Sequence, residues 1–307
     1  MPVVIYGSNC EKNARQFSKL KKLPFIKAEK IPFSNSEFKI RITGKVKGDE
    51  CIIIHSICNP TSNSIIELFF IMNALKNEGA ASIRLVIPYL GYARQHKQFL
   101  KGECVSLKTL ISCLSALEAK DITTFDIHND RSIENCAIPM RNISLLPYLA
   151  SKLQPILLKE FSVQSIVIAS PDKGGIIRAA LFRDAFLPNG NELVFIEKKR
   201  DLNKTHHSEA IFLHGDVLNK NILLIDDIST SGGTLINAAD ICLKKGARSV
   251  SALIVHTDLA RGAAEKLQKS DLSSIFVSNT IENPIENLAK FDKFTTIPIG
   301  DFFKNML

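Results

Sequence analysis

The chain has 307 residues, room for two domains of ordinary size, and its 45% hydrophobic and 23% charged content is that of a soluble globular protein. A formal charge of +8 admits anionic partners, but the Lys and Arg residues are dispersed, and no Trp and four Tyr leave few base-stacking platforms, so nucleic acid is not expected as a partner. No apolar run is long enough to span a bilayer, Met1 to Gly7 carries no basic leader, and seven scattered cysteines without a Cys-x-x-Cys pair point to a reducing cytoplasm, with no membrane association.

Short β-branched runs alternate with amphipathic runs, the pattern of an α/β fold with mostly parallel sheets. In the first half, strands are predicted over 3–6, 37–42, 51–55, 82–87 and 122–126. The clearest helix is 64–77, where apolar residues at 65, 68, 69, 72 and at 71 and 75 have helical spacing. Ser64 and Glu67 have the spacing of a capping box, and Gly79 is a stop signal. A boundary is expected near 141–145, giving domains 1–142 and 143–307, the second opening on a helical run at 146–153. Strands are then predicted over 165–169, 192–197, 222–225, 249–256, 274–277 and 294–297.

The chain repeats itself. The strand 52–54, a Ser/Pro-rich loop, a helix, Lys76-Asn77-Glu78-Gly79-Ala80-Ala81-Ser82 and a further strand form one unit. The strand 222–225, a loop, a helix, Lys244-Lys245-Gly246-Ala247-Arg248-Ser249 and a further strand form the other.

The second copy carries the most informative stretch, Leu223 to Thr234. An apolar strand runs into Asp226 and Asp227, followed by Ile228-Ser229-Thr230-Ser231-Gly232-Gly233-Thr234 and a helix-like run. Backbone N–H groups of such a loop, with the positive end of the helix, can receive the phosphate of a ribose 5-phosphate. Ser229, Thr230, Ser231 and Thr234 can add hydroxyl donors, while Gly232 and Gly233 permit close approach. Asp226 and Asp227 stand at the carboxyl end of a strand, where open α/β sheets bind ligands, and would face the sugar hydroxyls directly or through Mg²⁺. The plainer alternative is an Asp-rich turn before an N-capped helix.

Six pieces in order resemble the ribose-phosphate diphosphokinase (PRPP synthetase) family: Phe33-Ser34-Asn35-Ser36-Glu37, Pro88 to Gln95 with its Tyr-Ala-Arg-Gln end, Asp126-Ile127-His128, Ser170 to Gly175, Glu197-Lys198-Lys199-Arg200, and 226–234. The last piece alone is shared with all type I phosphoribosyltransferases. The resemblance implies two tandem phosphoribosyltransferase-like domains, each a mostly parallel sheet flanked by helices, with the active site at a domain and subunit junction. It also implies that the closing stretch, about twelve residues, packs back on the first domain, as tied-down termini do. The implied reaction transfers the β,γ-diphosphoryl group of Mg-ATP to the 1-hydroxyl of ribose 5-phosphate, giving PRPP and AMP.

The resemblance assigns Lys198 and Arg200 as catalytic cations on a polar, mobile flap reaching to Ser208. Phe33, Asn35, Glu37, Arg94 and Gln95, with His96 beside them, are assigned to ATP, the 33–37 loop serving a neighbouring subunit, which requires at least a homodimer. Asp172, Asp226, Asp227 and 229–234 are assigned to ribose 5-phosphate, and His128 and Asp172 to Mg²⁺, with Asp130 close by. Read alone, Phe33 is a core Phe, Lys198 to Arg200 a solvated run, Asp172 a turn residue and His128 a strand-end cap. Asn35-Ser36 stands where the family shows Asp-Gly, His96 where Asp is common, and Ser229 to Gly233 where many members carry Ile-Asp-Thr-Ala-Gly. Lys45, Lys47 and Arg141 depart from the phosphate-activated class. A non-catalytic regulatory homologue and a PRPP-consuming phosphoribosyltransferase are the alternative functions.

Overall fold

The computed structural model describes residues 1–134, 136–187, 192–200, 209–282, 284 and 287–306, with the backbone alone at 198–200, 209–211 and 305. The chain divides into two units, Met1–Ser144 with Thr280–Ile285 and Pro298–Leu307, and Leu145–Asn279 with Glu286–Ile297. The change of unit thus falls at 144/145, and two late segments group with the first unit.

The first unit contains β1 (Val3–Tyr6), β2 (Phe25–Pro32), β3 (Phe38–Ile42), β4 (Glu50–Ile54), β5 (Ser82–Ile87), β6 (Ala119–Phe125) and β7 (Met140–Ile143). They form one sheet in the order β3-β2-β1-β4-β5-β6-β7. Helices α1 (Glu11–Lys21), α2 (Thr61–Asn77) and α3 (Ser106–Ala116) flank it. The second unit contains β8 (Ile166–Ser170), β9 (Val194–Arg200), β10 (Glu209–His214), β11 (Asn221–Ser229), β12 (Ser249–Thr257), β13 (Ile275–Ser278) and β14 (Phe294–Ile297). Their order is β10-β9-β8-β11-β12-β13-β14, the same permutation as in the first unit. Its helices are α4 (Leu146–Glu160), α5 (Ile176–Phe186), α6 (Gly233–Lys244) and α7 (Ala263–Gln268). The repeat is therefore a repeat of topology. All described pairings are parallel except β2 with β3 and β9 with β10.

Central strands are continuous apolar runs because helices cover both faces of a parallel sheet. In β4, Cys51 to Ile54 are all buried, and in β12 every residue after Ser249 is buried. Leu68, Ile71, Met72 and Leu75 of α2 pack on Ile5, Ile53 and Leu85 of the sheet; each fully buried side chain of this size contributes about 1.5–3 kcal/mol.

Three strands escape the sequence patterning: β2, β7 and β10. The first and last are arms of antiparallel hairpins at sheet edges; in β2 Lys and Glu interrupt the apolar residues, and in β10 the apolar run 210–213 is short.

The predicted capping box is not formed. Helix α2 starts at Thr61, with Pro60 at the cap and no side-chain cap bond. Ser64 lies inside the helix and donates its hydroxyl to the Ser56 carbonyl at 2.8 Å. Glu67 is buried and accepts from the Ser8 amide at 2.6 Å, the Ser8 hydroxyl at 2.7 Å and Lys30 Nζ at 2.8 Å. Tertiary partners in the loop after β1 and on β2 thus replace the local cap.

The N-terminus of α1 has no side-chain cap from its own Cys10. The Glu282 carboxylate supplies it instead, accepting from the Lys12 amide at 2.8 Å and from the Asn13 amide. The 3-10 turn Gly300–Asn305 packs on α1, with Phe303 fully buried edge-on against Phe17 at 5.5 Å.

Candidate active site: a carboxylate pair and a phosphate-type loop

In the second unit, β11 pairs with β12 as far as Ser229 opposite Thr257, but with β8 only as far as Leu224 opposite Ala169. Past Leu224 one edge of β11 is therefore free of β8. This happens where the strand order reverses, with β9 on one side of β8 and β11 on the other, the position at which open α/β sheets take ligands. The sequence places Asp226 and Asp227 after a strand ending at 225. The structure continues the strand to Ser229, because β12 goes on pairing with it.

Asp226 is 9% exposed and Asp227 2%. Asp226 Oδ1 accepts from the Asp227 amide at 3.0 Å. Arg178, in the first turn of α5, reaches Asp227 Oδ1 through Nη2 at 3.0 Å. Burial pushes the Asp226 carboxyl well above its ordinary value; the Asp227 charge, a hydrogen bond to Asp227 and the more distant Asp172 add to this, and Arg178 opposes it. Burial and the neighbouring charge thus disfavour full ionisation of the pair, and a positive or proton-donating ligand would relieve it.

Asp172 follows β8. Its Oδ1 accepts from the Gly175 amide at 2.9 Å and caps the 3-10 turn Lys173–Gly175, while Ser170 Oγ donates to its carbonyl at 2.6 Å. The side chain is exposed. It is both a turn-former and an available carboxylate.

The loop after β11 turns at Gly232, which adopts φ 74° as the cap of α6. A Cβ there would sit 2.7 Å from Leu267 Cγ, so glycine is required by dihedral and by space. Thr230 accepts from the Ala260 amide at 2.8 Å through its carbonyl, and Ser231 Oγ from the Gly233 amide at 3.4 Å. Ser229 is buried; Thr230 and Gly233 are half-buried; Ser231 and Thr234 are exposed around the opening of α6. The first N–H groups of a helix lack intrahelical partners, so this opening suits an oxyanion.

The Lys198–Arg200 segment, expected beyond a strand end, lies within β9, opposite Ile211 to Glu209 of β10. It is one arm of an antiparallel hairpin. The side chains of Lys198 and Arg200, and residues 201–208 of the expected flap, lie outside the described residues.

In the first unit, β2 and β3 form the topologically equivalent hairpin. Its tip closes by a Phe33 amide to Glu37 carbonyl bond at 2.9 Å and by Asn35 Oδ1 accepting from the Glu37 amide at 3.2 Å. Phe33 is 48% exposed, so it is no core residue. Glu37 is exposed.

Arg94 is exposed on the loop after β5. The Gln95 carboxamide is turned toward its own loop, 3.4 Å from the carbonyls of Lys97 and Cys104. His96 Nε2 lies 3.2 Å from Asn129 Nδ2, which joins this loop to the one carrying His128. His128 is half-buried after β6. The Asp130 carboxylate is engaged by Asn142 Nδ2 at 2.5 Å.

A sequence profile of the N-terminal domain of ribose phosphate pyrophosphokinase matches residues 2–117, and one of the phosphoribosyl transferase domain matches 149–286. The chain is 34% identical over 282 residues to the ribose-phosphate pyrophosphokinase of Wolinella succinogenes, covering 91% of this chain and 87% of that one. It is 32% identical over 297 residues to that of Clostridium perfringens, covering 96% and 91%. This chain belongs to the ribose-phosphate pyrophosphokinase family. The crystal structure of phosphoribosylpyrophosphate synthetase from Mycobacterium smegmatis shares its fold, with a TM-score of 0.86 over 99% of this chain and 96% of that one at 24% identity.

Against this family background, Arg178 and Asn129 are the functional candidates that motif reading passes over. Arg178 had a signal: it opens the helix after the Asp172 turn, at the same sheet edge as the Asp pair. Asn129 had none, because its partner His96 is 33 residues away.

Among the described residues no group of three or more His, Cys, Asp or Glu converges on a metal position. Mg²⁺ seldom uses an all-protein cage; it takes one or two carboxylates and completes its shell with water and substrate phosphates. The oxygen donors of Asp172, Asp226 and Asp227, with their mutual repulsion at Asp226, fit such an ion. The imidazole of His128 does not offer a hard oxygen.

Proposed function

We propose that the chain transfers the diphosphoryl group of Mg-ATP to the 1-hydroxyl of ribose 5-phosphate, giving PRPP and AMP. The single observation that carries the site assignment is the Asp226–Asp227 pair on the free edge of β11, directly before the Gly232 loop that opens α6. A buried, partly repulsive carboxylate pair is costly to fold unless it serves a ligand.

In this reading the 5-phosphate sits at the opening of α6, received by backbone N–H groups and by the hydroxyls of Ser229, Thr230, Ser231 and Thr234. Asp227, fixed by Arg178, accepts from a ribose hydroxyl, and Asp226 lies beside it on the same sugar face. Asp172 completes the ribose side. The 1-hydroxyl oxygen attacks the β-phosphorus and its proton is released to solvent; the bond from that phosphorus to the α,β-bridging oxygen breaks, and AMP leaves with that oxygen. Lys198 and Arg200 stabilise the charge building on the transferred group, since phosphoryl-type transfer is mainly positioning and electrostatics. Asp172 and the Asp226–Asp227 pair would hold Mg²⁺, which would neutralise charge on the phosphates. Closing the β9–β10 hairpin excludes water as a competing acceptor.

The nucleotide is assigned to Arg94, Gln95, His96 and His128 of the first unit, and to Phe33, Asn35 and Glu37 of the hairpin tip. An exposed Phe33 on a projecting hairpin supports service to a neighbouring copy, so the active form is a homo-oligomer, at least a dimer. A cytoplasmic location goes with this metabolic reading. No helix among the described residues is long and apolar enough to cross a membrane.

Purified protein given ATP, ribose 5-phosphate and Mg²⁺ is expected to form AMP and PRPP in equal amounts. Ribose 5-phosphate binding without PRPP would instead mark a regulatory homologue.

A further inference from the structure

The β9–β10 hairpin carries a charged cluster that the proposed chemistry does not use. Glu197 immediately precedes Lys198. Its Oε1 lies 3.4 Å from Lys173 Nζ, and its Oε2 3.0 Å from His214 Nε2. Lys173 is the residue after Asp172, inside the turn that Asp172 caps. His214 closes the returning strand β10, opposite Phe195 in the ladder, and its ring stacks on Phe195 at 4.4 Å and 10°. Glu197 thus touches three structures at once: its own strand, the returning strand, and the turn that presents Asp172.

We propose that Glu197 is a positioning residue that registers the Lys198–Arg200 segment against the Asp172 turn, so that ligand bound at the turn is felt in the hairpin arm. The inference rests on the proposed diphosphoryl transfer. Its physical basis is proximity along the chain. A bond from residue 197 to residue 173 fixes the root of the arm one residue before its first catalytic cation and one residue after the ribose-side carboxylate. Among the described residues the β9–β8 ladder pairs Val194 and Phe195 with β8 and ends before Glu197.

The side chain of Glu197 is 16% exposed, that of His214 43% and that of Lys173 73%. Lys173 is open, so its variants are expected to fold, while Glu197 is mostly buried, so denaturant unfolding of its variants separates a loss of turnover from a loss of stability. Misplacing catalytic groups by about 1 Å can cost on the order of 100-fold in rate, so loss of register has a readout far larger than the pair's stability.

The test compares wild type, Glu197→Gln, Glu197→Asp, Lys173→Met and Lys173→Arg in the full chain. Each is assayed for kcat and KM with Mg-ATP and ribose 5-phosphate. Amide hydrogen exchange in 194–200 and 209–214 is followed with and without ribose 5-phosphate. We expect Glu197→Gln and Lys173→Met to lower kcat by about tenfold or more with KM for ribose 5-phosphate within about twofold, the pattern of a group acting in the transition state. Glu197→Asp and Lys173→Arg are expected to recover part of the loss. Ribose 5-phosphate is expected to slow exchange in the hairpin of wild type and not of Glu197→Gln. Unchanged kcat and an unchanged exchange response in both disabling variants, with an active wild type, would overturn the inference. A wild type that makes no PRPP would defeat the proposed function instead, while the exchange comparison would still decide whether ligand at the turn reaches the arm.

Discussion

Replacing Gly232 by Ala probes the phosphate-type loop at its narrowest point. The residue has φ 74°, and a methyl group there would stand 2.7 Å from Leu267 Cγ and 2.9 Å from Cδ2. Leu267 is fully buried in the core of the second unit and cannot swing away cheaply. The left-handed backbone costs an L-residue roughly 1–2 kcal/mol. Forcing a methyl into a packed contact costs about 1–3 kcal/mol more. Gly232→Ala is therefore expected to destabilise the second unit by about 2–5 kcal/mol. Gly262→Ala is the internal control. Its φ is 82°, but nothing lies within 4 Å of an added Cβ, so only the backbone cost of roughly 1–2 kcal/mol applies. Urea unfolding of both variants, with unchanged m-values, gives the comparison, and calorimetric titration with ribose 5-phosphate reports the loop directly. Gly232→Ala should bind more weakly, with Gly262→Ala close to wild type. Equal stability of the two variants would refute the claim that the Leu267 contact fixes the loop.

Asp227→Asn should weaken ribose 5-phosphate binding about tenfold, the loss of one charge-assisted hydrogen bond of about 1.5 kcal/mol. Stability should fall as well, because Arg178 loses its buried carboxylate partner, so binding is measured where the variant is folded. Unchanged affinity by calorimetry would remove Asp227 from the sugar site. In the first unit, burial holds the His55 ring below its ordinary value of 6.5. The unfolded chain then binds that proton more readily, so stability is intact above 6.5 and falls as the pH drops below it. His55→Gln should flatten the decline in melting temperature between about pH 7 and pH 5; an identical slope in the variant would mean that His55 does not carry it. Glu282→Ala should cost about 0.5–2 kcal/mol by uncapping α1, measured by denaturant unfolding, and no loss would show that the Lys12 and Asn13 amides are satisfied by water.

Much of this architecture is legible in the sequence because burial on both faces writes itself as apolar runs. Ile52 to Ile54 and Leu223 to Ile225 mark central strands without help from context, and the strings around Gly79 and Gly246 reveal the repeat. The hairpin arms β2 and β10 are not legible, since their stability comes from pairing with a partner strand: the interspersed charges of β2 resemble loop, and the apolar run of β10, 210–213, is short. The capping role of Ser64 and Glu67 is misread for the opposite reason. The local spacing is right, but Ser8 and Lys30 lie 59 and 37 residues from Glu67 and bind it more strongly. The cap of α1 by Glu282, 270 residues from Lys12, leaves no local trace at all. At the site, the Asp226–Asp227 pair and the Gly232 loop follow from contiguous residues. Arg178 reaches Asp227 only because α5 begins at the same sheet edge as the overhang of β11, a relation that topology creates.

The central claim is that the diphosphoryl group moves as a unit from ATP to the sugar. Parallel reactions of the purified protein with ATP labelled at the α- or the γ-phosphorus, ribose 5-phosphate and Mg²⁺ test it most directly. The γ-label should appear in PRPP and the α-label in AMP alone. A γ-label released as inorganic phosphate, or an α-label in the sugar product, would contradict the account.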